Sequence, residues 1–382
     1  MFDQNITAHL VYDGGDQIYV PSEMGTPNAN QLTGTTLENL SEVALRICYD
    51  SLGATKSRSS ADAHKHIKEV KHLSVFEHAN FTVRYKIDDT QRAAFLSSIV
   101  GRPGTWLEMD GSSHYRLTVN FRTVLEWKKW SALSRVILDP VIDRLVENSL
   151  LRIGGEIAPL IITAEQGCGS CLMFEHVTPD SPSEIWCSLY LSSSRGVSHE
   201  QVRHGDYTAI SQRSTRFVDE DGSNFIEHPL VSQFMNDMNT LACSPDEEKQ
   251  REGGIASATF RRHIANTDFA AREAYRAIVK ELEPYLVKRG VDKFTARKQA
   301  RGAARLYLPN ALQTEMIFSA NVNQWLFMLS QRATVHADAE IRLMYVPVFE
   351  ALSKSRYADR FAHLELAPSP DGIGQIVQQK KA

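Results

Sequence analysis

Hydrophobic residues near the N-terminus follow first a helical and then a strand-like spacing. Thr35 and Glu38 have the spacing of a capping box, and apolar residues then recur at helical intervals. A second helix is predicted at about 62–70, and residues 81–87 alternate between polar and apolar side chains, as a half-buried strand does. The pattern therefore predicts the order strand, helix, helix, strand over residues 1–88.

The middle segment, residues 89–184, has a mixed pattern without an internal repeat. We interpret it as an inserted elaboration between two parts of the chain whose helix and strand patterns are clearer. In chain order the pattern predicts a helix from Asp89, turns at 101–111, a strand at 115–124, a helix at 130–151 and a loop at 178–183.

The C-terminal part, residues 185–366, is mostly helical in pattern. A strand at 185–191 precedes a helix that Ser198 would cap and that would carry Arg203 and His204. Ser244 followed by Pro245 is a helix-start signal. Further helices are predicted at about 255–289, 292–307, 309–333 and 337–354. The polar tail, 367–382, contains Pro and Gly, and we expect it to be disordered.

Composition narrows the class of protein. The chain has 382 residues, of which 42% are hydrophobic and 23% charged, which is ordinary for a globular protein with a core. A net charge of -4 argues against general attraction to nucleic acid or to an anionic membrane. There is no apolar run long enough to span a bilayer. The first residues show no basic leader followed by an apolar region, so we expect no secretion signal. Five scattered cysteines suit a reducing compartment, so we expect a cytoplasmic protein.

Basic residues in two distant segments suggest an anion site. Arg203 precedes a Ser214-x-Arg216 motif, and Arg305 and Arg332 lie at predicted helix ends about a hundred residues later. Guanidinium forks together with a hydroxyl group are well suited to bind a phosphate. The alternative is that each is an ordinary surface arginine.

The other candidate chemistry is weaker. His72 and His78 flank a glutamate, but no third ligand at helical spacing supports a zinc site, and both could be loop histidines. Cys168 and Cys171 form a lone CxxC pair. No cysteine stands in a setting that obviously lowers its pKa. For an enzyme, this favours a reaction mechanism in which no protein side chain acts as the nucleophile. There is no G-x-G-x-x-G motif and no P-loop.

Residues 36–88 and 185–355 resemble the flavin-dependent thymidylate synthases. The run that carries the resemblance best comprises Leu308-Pro309, Thr314, Asn321, Arg332-Ala333, His336-Ala337 and Glu340-Ile341. The resemblance implies an α/β fold in which a mostly antiparallel central sheet is flanked by helices. It also implies a large inserted segment, a helical C-terminal part, and homotetramers whose active sites lie between subunits.

The resemblance also assigns roles to individual residues. Arg332 and Ser214 are placed at the reaction centre. The residues expected to bind the nucleotide are Glu200, Arg203, Gln212, Ser214, Thr215, Arg216, Arg305 and Arg332. The residues expected to bind FAD are Cys48, His72, Ser74, Glu77, Arg203, His204, Gly205, Ser211, Asn321, Asn323 and His336. No metal is expected.

Several positions depart from the family pattern. The family motif reads Arg-His-Arg, whereas Gly205 takes the third place here, and the interval to Ser214 is one residue longer. Ser211-Gln212 replaces Asn-Glu, and Phe217 replaces a tyrosine. Two later positions also differ: Asn323 stands where Arg is common, and Phe327 where Asn is common.

By resemblance, the expected activity is reductive methylation at C5 of a uracil nucleotide, with FAD as cofactor. Methylenetetrahydrofolate would donate the carbon and NADPH the electrons. The choice between dUMP and UMP stays open, because related enzymes of nucleoside-antibiotic pathways act on UMP. The alternative is a non-catalytic flavin- or nucleotide-binding protein, which Gly205 and Gln212 favour. A role in RNA binding is disfavoured by the negative net charge.

Overall fold

Strands and helices alternate through most of the chain in the computed structural model, which describes residues 6–15, 17–86, 89–111, 114–127, 173–177, 179–205 and 207–379. The strands are β1 (Thr7–Tyr12), β2 (Asn80–Lys86), β3 (Thr105–Met109), β4 (His114–Asn120), β5 (Met173–Val177), β6 (Trp186–Ser194), β7 (Thr208–Gln212), β8 (Gln313–Asn321), β9 (Leu364–Ala367) and β10 (Gln375–Gln378). The helices are α1 (Thr36–Tyr49), α2 (Ser60–Glu69), α3 (Asp89–Ile99), α4 (Phe121–Trp127), α5 (Arg195–Gln201), α6 (Pro229–Ala242), α7 (Glu247–Lys288), α8 (Lys293–Ala304), α9 (Val322–Arg332) and α10 (Ala339–Leu352). The predicted helix at 130–151 lies outside the described residues.

Two four-stranded antiparallel sheets organise the described part of the chain. One has the strand order β1-β6-β8-β7 and the other β3-β4-β2-β5. This confirms the predicted α/β class with a mostly antiparallel central sheet. The described residues up to Lys86 also follow the predicted order of strand, helix, helix and strand.

Two hydrophobic clusters fill the space between the layers. One packs α1, including the fully buried Leu40 and Val43, against the 3-10 turn at Leu73–Glu77 and against β2 and β4. The other packs the β6-β8 side of the first sheet against α9 and α10, with the buried Trp325 and Tyr345 at its centre. The first sheet is therefore covered by helices from both parts of the chain.

The helix predicted at 309–333 is the main error in our secondary-structure prediction. Residues 313–321 form β8, the inner strand between β6 and β7, and only α9 is helical. Met316, Ile317 and Phe318 are all buried. A strand covered on both faces is apolar without alternation, so its pattern cannot be distinguished from that of a buried helix.

The helix predicted from Ser198 begins one turn earlier. Ser194 is the N-cap of α5, and its Oγ accepts a hydrogen bond from Val197 N at 3.2 Å. Ser198 is buried inside the helix, and Arg203 follows the helix end. Both serines stand before a helical pattern, and the sequence did not distinguish them.

Three other boundaries also differ from the prediction. The strand predicted at 115–124 ends at Asn120, and α4 follows it directly. The turn-rich stretch 101–111 contains β3. The helix start at Ser244 is replaced by a cap at Asp246, whose Oδ1 accepts from Glu248 N at 3.0 Å, and α7 then runs unbroken for 42 residues.

The tail from 367 is ordered to residue 379, contrary to the prediction of disorder. β9 and β10 form an antiparallel pair, and Ile376 N donates to Ala333 O at 2.8 Å. Asp371, in the turn between the strands, forms an ion pair with the buried Arg342. The side chains of Ile373 and Ile376 are also buried, so apolar burial, a backbone hydrogen bond and a charge pair together hold the polar tail. None of the described helices combines the length and the apolar character that crossing a membrane requires.

Candidate functional site

The turn after β7 forms one wall of a cavity beside the end of α1. Ser214 N donates to the carbonyl of Cys48 at 3.1 Å, which joins the turn to the helix. Phe217 N and Val218 N both donate to the carbonyl of Ser214, at 3.0 and 2.9 Å, and so close the turn on itself. Residues 213–217 are thereby fixed with their side chains around one space.

The cavity has a volume of about 260 Å³. It brings together nine of the residues predicted to bind ligands: Cys48, His72, Ser74, Ser211, Gln212, Ser214, Thr215, Arg216 and Arg305. The remaining lining residues are Tyr49, Arg195, Ile210, Arg213 and Phe217. Segments that are far apart in sequence therefore meet here within a single chain.

The lining is strongly cationic. It includes Arg216 and Arg305 but no carboxylate. Both arginines are exposed, and neither has an ion-pair partner within the described part of the chain. Arg305 Nη1 lies 3.4 Å from Thr215 Oγ1, so a guanidinium and a hydroxyl group share one edge of the cavity. This arrangement suits a phosphate or another compact anion.

Arg195 and Arg213 were missed at the level of the sequence. Arg195 is the first residue of α5, and its buried Nη1 has no hydrogen-bond acceptor among the described residues. Burial lowers its pKa, and the nearby Arg305 adds to this effect. Arg213 lies 3.6 Å from Asp50 and 3.7 Å from Glu220, so its charge is partly neutralised. The position of Arg213 inside the signature turn was a usable signal, whereas Arg195 had none.

His78 is buried and contacts Ser211, one of the residues that line the cavity. Its Nδ1 lies 2.7 Å from Ser319 Oγ and its Nε2 lies 3.0 Å from Ser211 Oγ. Complete burial lowers the pKa of His78 to about 3, so the ring is neutral at neutral pH. Both ring nitrogens of His78 contact serine hydroxyl groups. This agrees with the interpretation of His78 as a loop histidine and not with that of a zinc ligand. No three His, Cys, Asp or Glu side chains in the described ranges are grouped closely enough to bind a metal ion.

His72 and Cys48 line the same cavity as neutral groups. Burial and the charge of Arg216 lower the pKa of His72. Its Nδ1 lies 3.3 Å from the hydroxyl of Tyr49. Burial raises the pKa of the Cys48 thiol to about 11, so this cysteine is not a thiolate at neutral pH.

Gln212 is committed to the protein itself. Its Nε2 donates to Ser198 Oγ at 2.8 Å and to Thr314 Oγ1 at 3.0 Å. Both protons of the amide are therefore used to link β7 with α5 and β8. Only the carbonyl oxygen of Gln212 remains for a ligand.

A second group of predicted residues does not line this cavity. Arg332 Nη1 donates to Glu200 Oε2 at 2.8 Å, and Arg332 Nε donates to His204 Nε2 at 3.0 Å. Burial and the charge of Arg332 lower the pKa of His204, which keeps the imidazole neutral as an acceptor. Arg203 and Gly205, which precede and follow His204, are exposed.

Four further predicted residues also lie away from the cavity. Glu77 forms an ion pair with Arg122. Asn321 is the buried N-cap of α9 and accepts from Gln324 N at 2.8 Å. Asn323 N donates to the carbonyl of Pro182, and His336 is exposed. Their predicted contacts with a flavin stay predictions.

The fold and the cavity define an α/β protein with an arginine-rich cavity beside its central sheet. The sequence profile of the family described as thymidylate synthase complementing protein matches residues 181–355.

Flavin-dependent thymidylate synthases are among the proteins that resemble the chain. The enzyme of Corynebacterium diphtheriae is 32% identical over 207 residues, which are 53% of this chain and 68% of the relative. That of Mycobacterium marinum is 33% identical over 189 residues (48% and 64%), and that of Mycobacteroides abscessus is 31% identical over 179 residues (47% and 61%). The chain therefore spans less than two thirds of the length of the last two relatives. It belongs to the flavin-dependent thymidylate synthase family.

Proposed function

We propose that this protein methylates C5 of a uracil nucleotide, dUMP or UMP, with bound FAD, methylenetetrahydrofolate as the carbon donor and NADPH as the reductant. The observation that carries the proposal is the cavity that Arg216, Arg305 and Thr215 share without any carboxylate. The relatives' name and the matched family profile agree with it.

In this account the nucleotide phosphate lies against Arg216 and Arg305. Two guanidinium groups and the hydroxyl groups of Ser214 and Thr215 provide several charge-assisted hydrogen bonds to one phosphate. The unpartnered Nη1 of Arg195 supplies a further donor. These contacts fix the position of the uracil ring relative to the rest of the site.

Arg332 stabilises the ring as charge develops on it. C5 of uracil becomes nucleophilic only when electron density moves into the ring and onto its oxygens. The Nη2 group of Arg332 has no acceptor among the described residues, while Nη1 and Nε are fixed by Glu200 and His204. An oriented guanidinium in such a place stabilises a ring anion without reorganisation.

The residues around the cavity fit a cofactor that carries a diphosphate. The lining has no carboxylate, and His72, Ser74 and Ser211 add an imidazole ring and two hydroxyl groups to its arginines. When bound and reduced by NADPH, FAD supplies the electrons that convert the transferred methylene to a methyl group. We assign His72, Ser74, Cys48 and Ser211 to its binding.

Two chains complete the site in this proposal. Arg332, Glu200 and His204 lie outside the cavity of their own chain, so they reach a nucleotide most directly from a neighbouring subunit. An active site shared within a homotetramer would place both groups around one nucleotide.

The alternative is a flavin- or nucleotide-binding protein without turnover. It is favoured by Gln212, whose amide protons are used internally, and by Gly205, where the family has an arginine. The test is to purify the protein, record its visible spectrum, and analyse the products from dUMP and from UMP by mass spectrometry with folate and NADPH present. A yellow protein that forms a 5-methyl nucleotide supports the enzyme. A protein that binds FAD but forms no product from either nucleotide supports the alternative.

A further inference from the structure

The end of the chain returns to the helix that carries Arg332. β9 and β10 form an antiparallel pair, and together with the turn between them they span residues 364–378. We call this segment the C-terminal strap. It lies after residue 355, where the match to the family profile ends. The strap contacts both α9 and α10, the two helices that residues 333–338 connect.

One contact of the strap is with the end of α9. Ile376 N donates to the carbonyl of Ala333 at 2.8 Å. Ala333 is the C-cap of α9 and follows Arg332 directly. The last carbonyl groups of a helix have no partner within the helix, so this bond satisfies one of them. The side chains of Ile376 and Ala333 are buried in the same hydrophobic cluster. The strap therefore holds the backbone next to Arg332.

The other contact is a buried charge pair with α10. Arg342 lies near the start of α10, is only 3% exposed, and pairs through its Nη2 with Asp371 of the strap. Within the described ranges Asp371 is its ion-pair partner, and the Nε of Arg342 has no hydrogen-bond acceptor there. A buried charge that loses its partner is strongly unfavourable. The pair therefore fixes the strap on α10.

The turn of the strap orients Asp371. Its Oδ1 accepts from Ser369 Oγ at 2.5 Å and from Ile373 N at 3.3 Å, which holds the carboxylate within the turn. Ser369 Oγ in turn accepts from Gly374 N at 2.9 Å. Gly374 has a φ of +94°, a conformation that glycine adopts readily. One carboxylate oxygen is thus used by the turn, and the other meets Arg342.

We propose that the C-terminal strap is a positioning element for Arg332, an inference that rests on the proposed role of that arginine. The hydrogen bond to Ala333 and the ion pair with Arg342 hold the strap across the connection between α9 and α10. This fixes the end of α9, from which Arg332 reaches Glu200 and His204. A guanidinium stabilises developing charge without reorganisation only when it is oriented beforehand.

The kinetic test uses Asp371→Asn in the full-length, FAD-loaded protein. We expect kcat to fall about 10- to 100-fold, the loss that a small misplacement of a reacting group causes. The KM for the nucleotide should stay within about twofold, because the cavity lining contains no residue of the strap. In an Arg332→Ala background, Asp371→Asn should lower kcat no further. Asp359→Asn is the matched control, because Asp359 is exposed and precedes the strap.

Hydrogen exchange followed by mass spectrometry gives a readout without turnover. Residues 329–336 should exchange roughly tenfold faster in Asp371→Asn than in the wild type or in Asp359→Asn, since local opening at the end of α9 becomes easier. Circular dichroism checks that the variants are folded. If Asp371→Asn does not fold, Ile376→Pro takes its place with the same expectations, because proline removes the N–H that Ala333 accepts.

Two results would overturn the proposal. One is unchanged exchange at residues 329–336, which would show that the strap does not hold the end of α9. The other is faster exchange together with a normal kcat, or with a further loss of kcat in the Arg332→Ala background, because the strap would then not act through Arg332. A wild-type protein without turnover would count against the proposed function, whereas the exchange result would still show whether the strap holds α9.

Discussion

Arg332 Nη1 lies 2.8 Å from Glu200 Oε2, and this contact joins residues that are 132 positions apart in the chain. The same guanidinium donates to His204, so two of its nitrogens are fixed, and the third has no acceptor among the residues that the structure describes. If Nη2 of Arg332 stabilises the uracil ring, we expect Arg332→Ala to lower kcat by about 10²–10³, which is the usual loss when one such donor is removed. Gln331→Ala changes the exposed neighbour and is the control. Normal kcat in Arg332→Ala would contradict the role.

Arg305 and Arg195 should bind the phosphate. Removing one charge-assisted hydrogen bond costs about 1.5–3 kcal/mol, so Arg305→Ala and Arg195→Ala should each raise the KM for the nucleotide roughly 10- to 100-fold. Arg297 lies on α8, the helix that Arg305 follows, and in the described part of the chain its ion-pair partner is Glu283 at 3.4 Å. Arg297→Ala should therefore leave KM unchanged. Steady-state kinetics with varied dUMP or UMP separates these cases. A change confined to kcat would argue against phosphate binding.

Cys48 should not act as a nucleophile. Its pKa is raised to about 11 by burial, and we expect the thiol to resist iodoacetamide at pH 8 while the exposed Cys243 reacts. Cys48→Ser should keep turnover measurable, within about tenfold of wild type, whereas loss of an attacking thiolate would abolish it. Peptide mass mapping after alkylation provides the first result, and product formation the second. An inactive but folded, FAD-binding Cys48→Ser protein would contradict this prediction.

His78 should make stability fall as the pH is lowered. Its native pKa is about 3, below the ordinary value of 6.5, so between these values the unfolded chain binds a proton that the native protein does not. The stabilising effect is fully present above about pH 6.5 and is lost at about 1.4 kcal/mol per pH unit as pH falls toward 3. Urea unfolding from pH 7.5 to 4.5 measures the slope. His78→Gln should show a shallower slope, and identical slopes would rule out His78 as the source.

Gly205 offers a gain-of-function test. A Cβ at this exposed position would meet no atom within 4 Å, so a longer side chain fits. Gly205→Arg restores the charge that the family motif has, and we expect FAD affinity to rise roughly two- to fivefold, the range for an exposed charge contact. Quenching of FAD fluorescence on binding gives the affinity, with Gly205→Ala as the matched control. If both variants bind FAD equally, the position does not contact the cofactor.

Local signals in the sequence predicted much of the N-terminal part of the fold. The capping box at Thr35 and Glu38 is present in α1, and the alternating residues 81–87 correspond closely to β2. Burial on both faces is a tertiary effect, which is why β8 looked helical. The tail is ordered through its contacts with Arg342 and Ala333. Both residues lie well before the tail in the chain, so the local sequence pattern of the tail does not indicate these contacts.

The part of the candidate site that comes from one short sequence motif could be predicted. Ser214, Thr215 and Arg216 follow one another, and the cavity contains all three. Arg195 was not predictable, because its contribution depends on Ser194 capping α5 and on the contact of Arg195 N with the carbonyl of Leu312, just before β8. The placement of Arg332 outside the cavity of its own chain likewise depends on tertiary packing, through its contacts with Glu200 and His204.

The most direct test of the central proposal is the release of tritium from C5 of [5-³H]dUMP and [5-³H]UMP by the purified protein. We predict release into water from at least one nucleotide, dependent on FAD, NADPH and methylenetetrahydrofolate together, and reduced in Arg305→Ala at low nucleotide concentration. A folded, flavin-loaded protein that releases no tritium from either nucleotide would contradict the account.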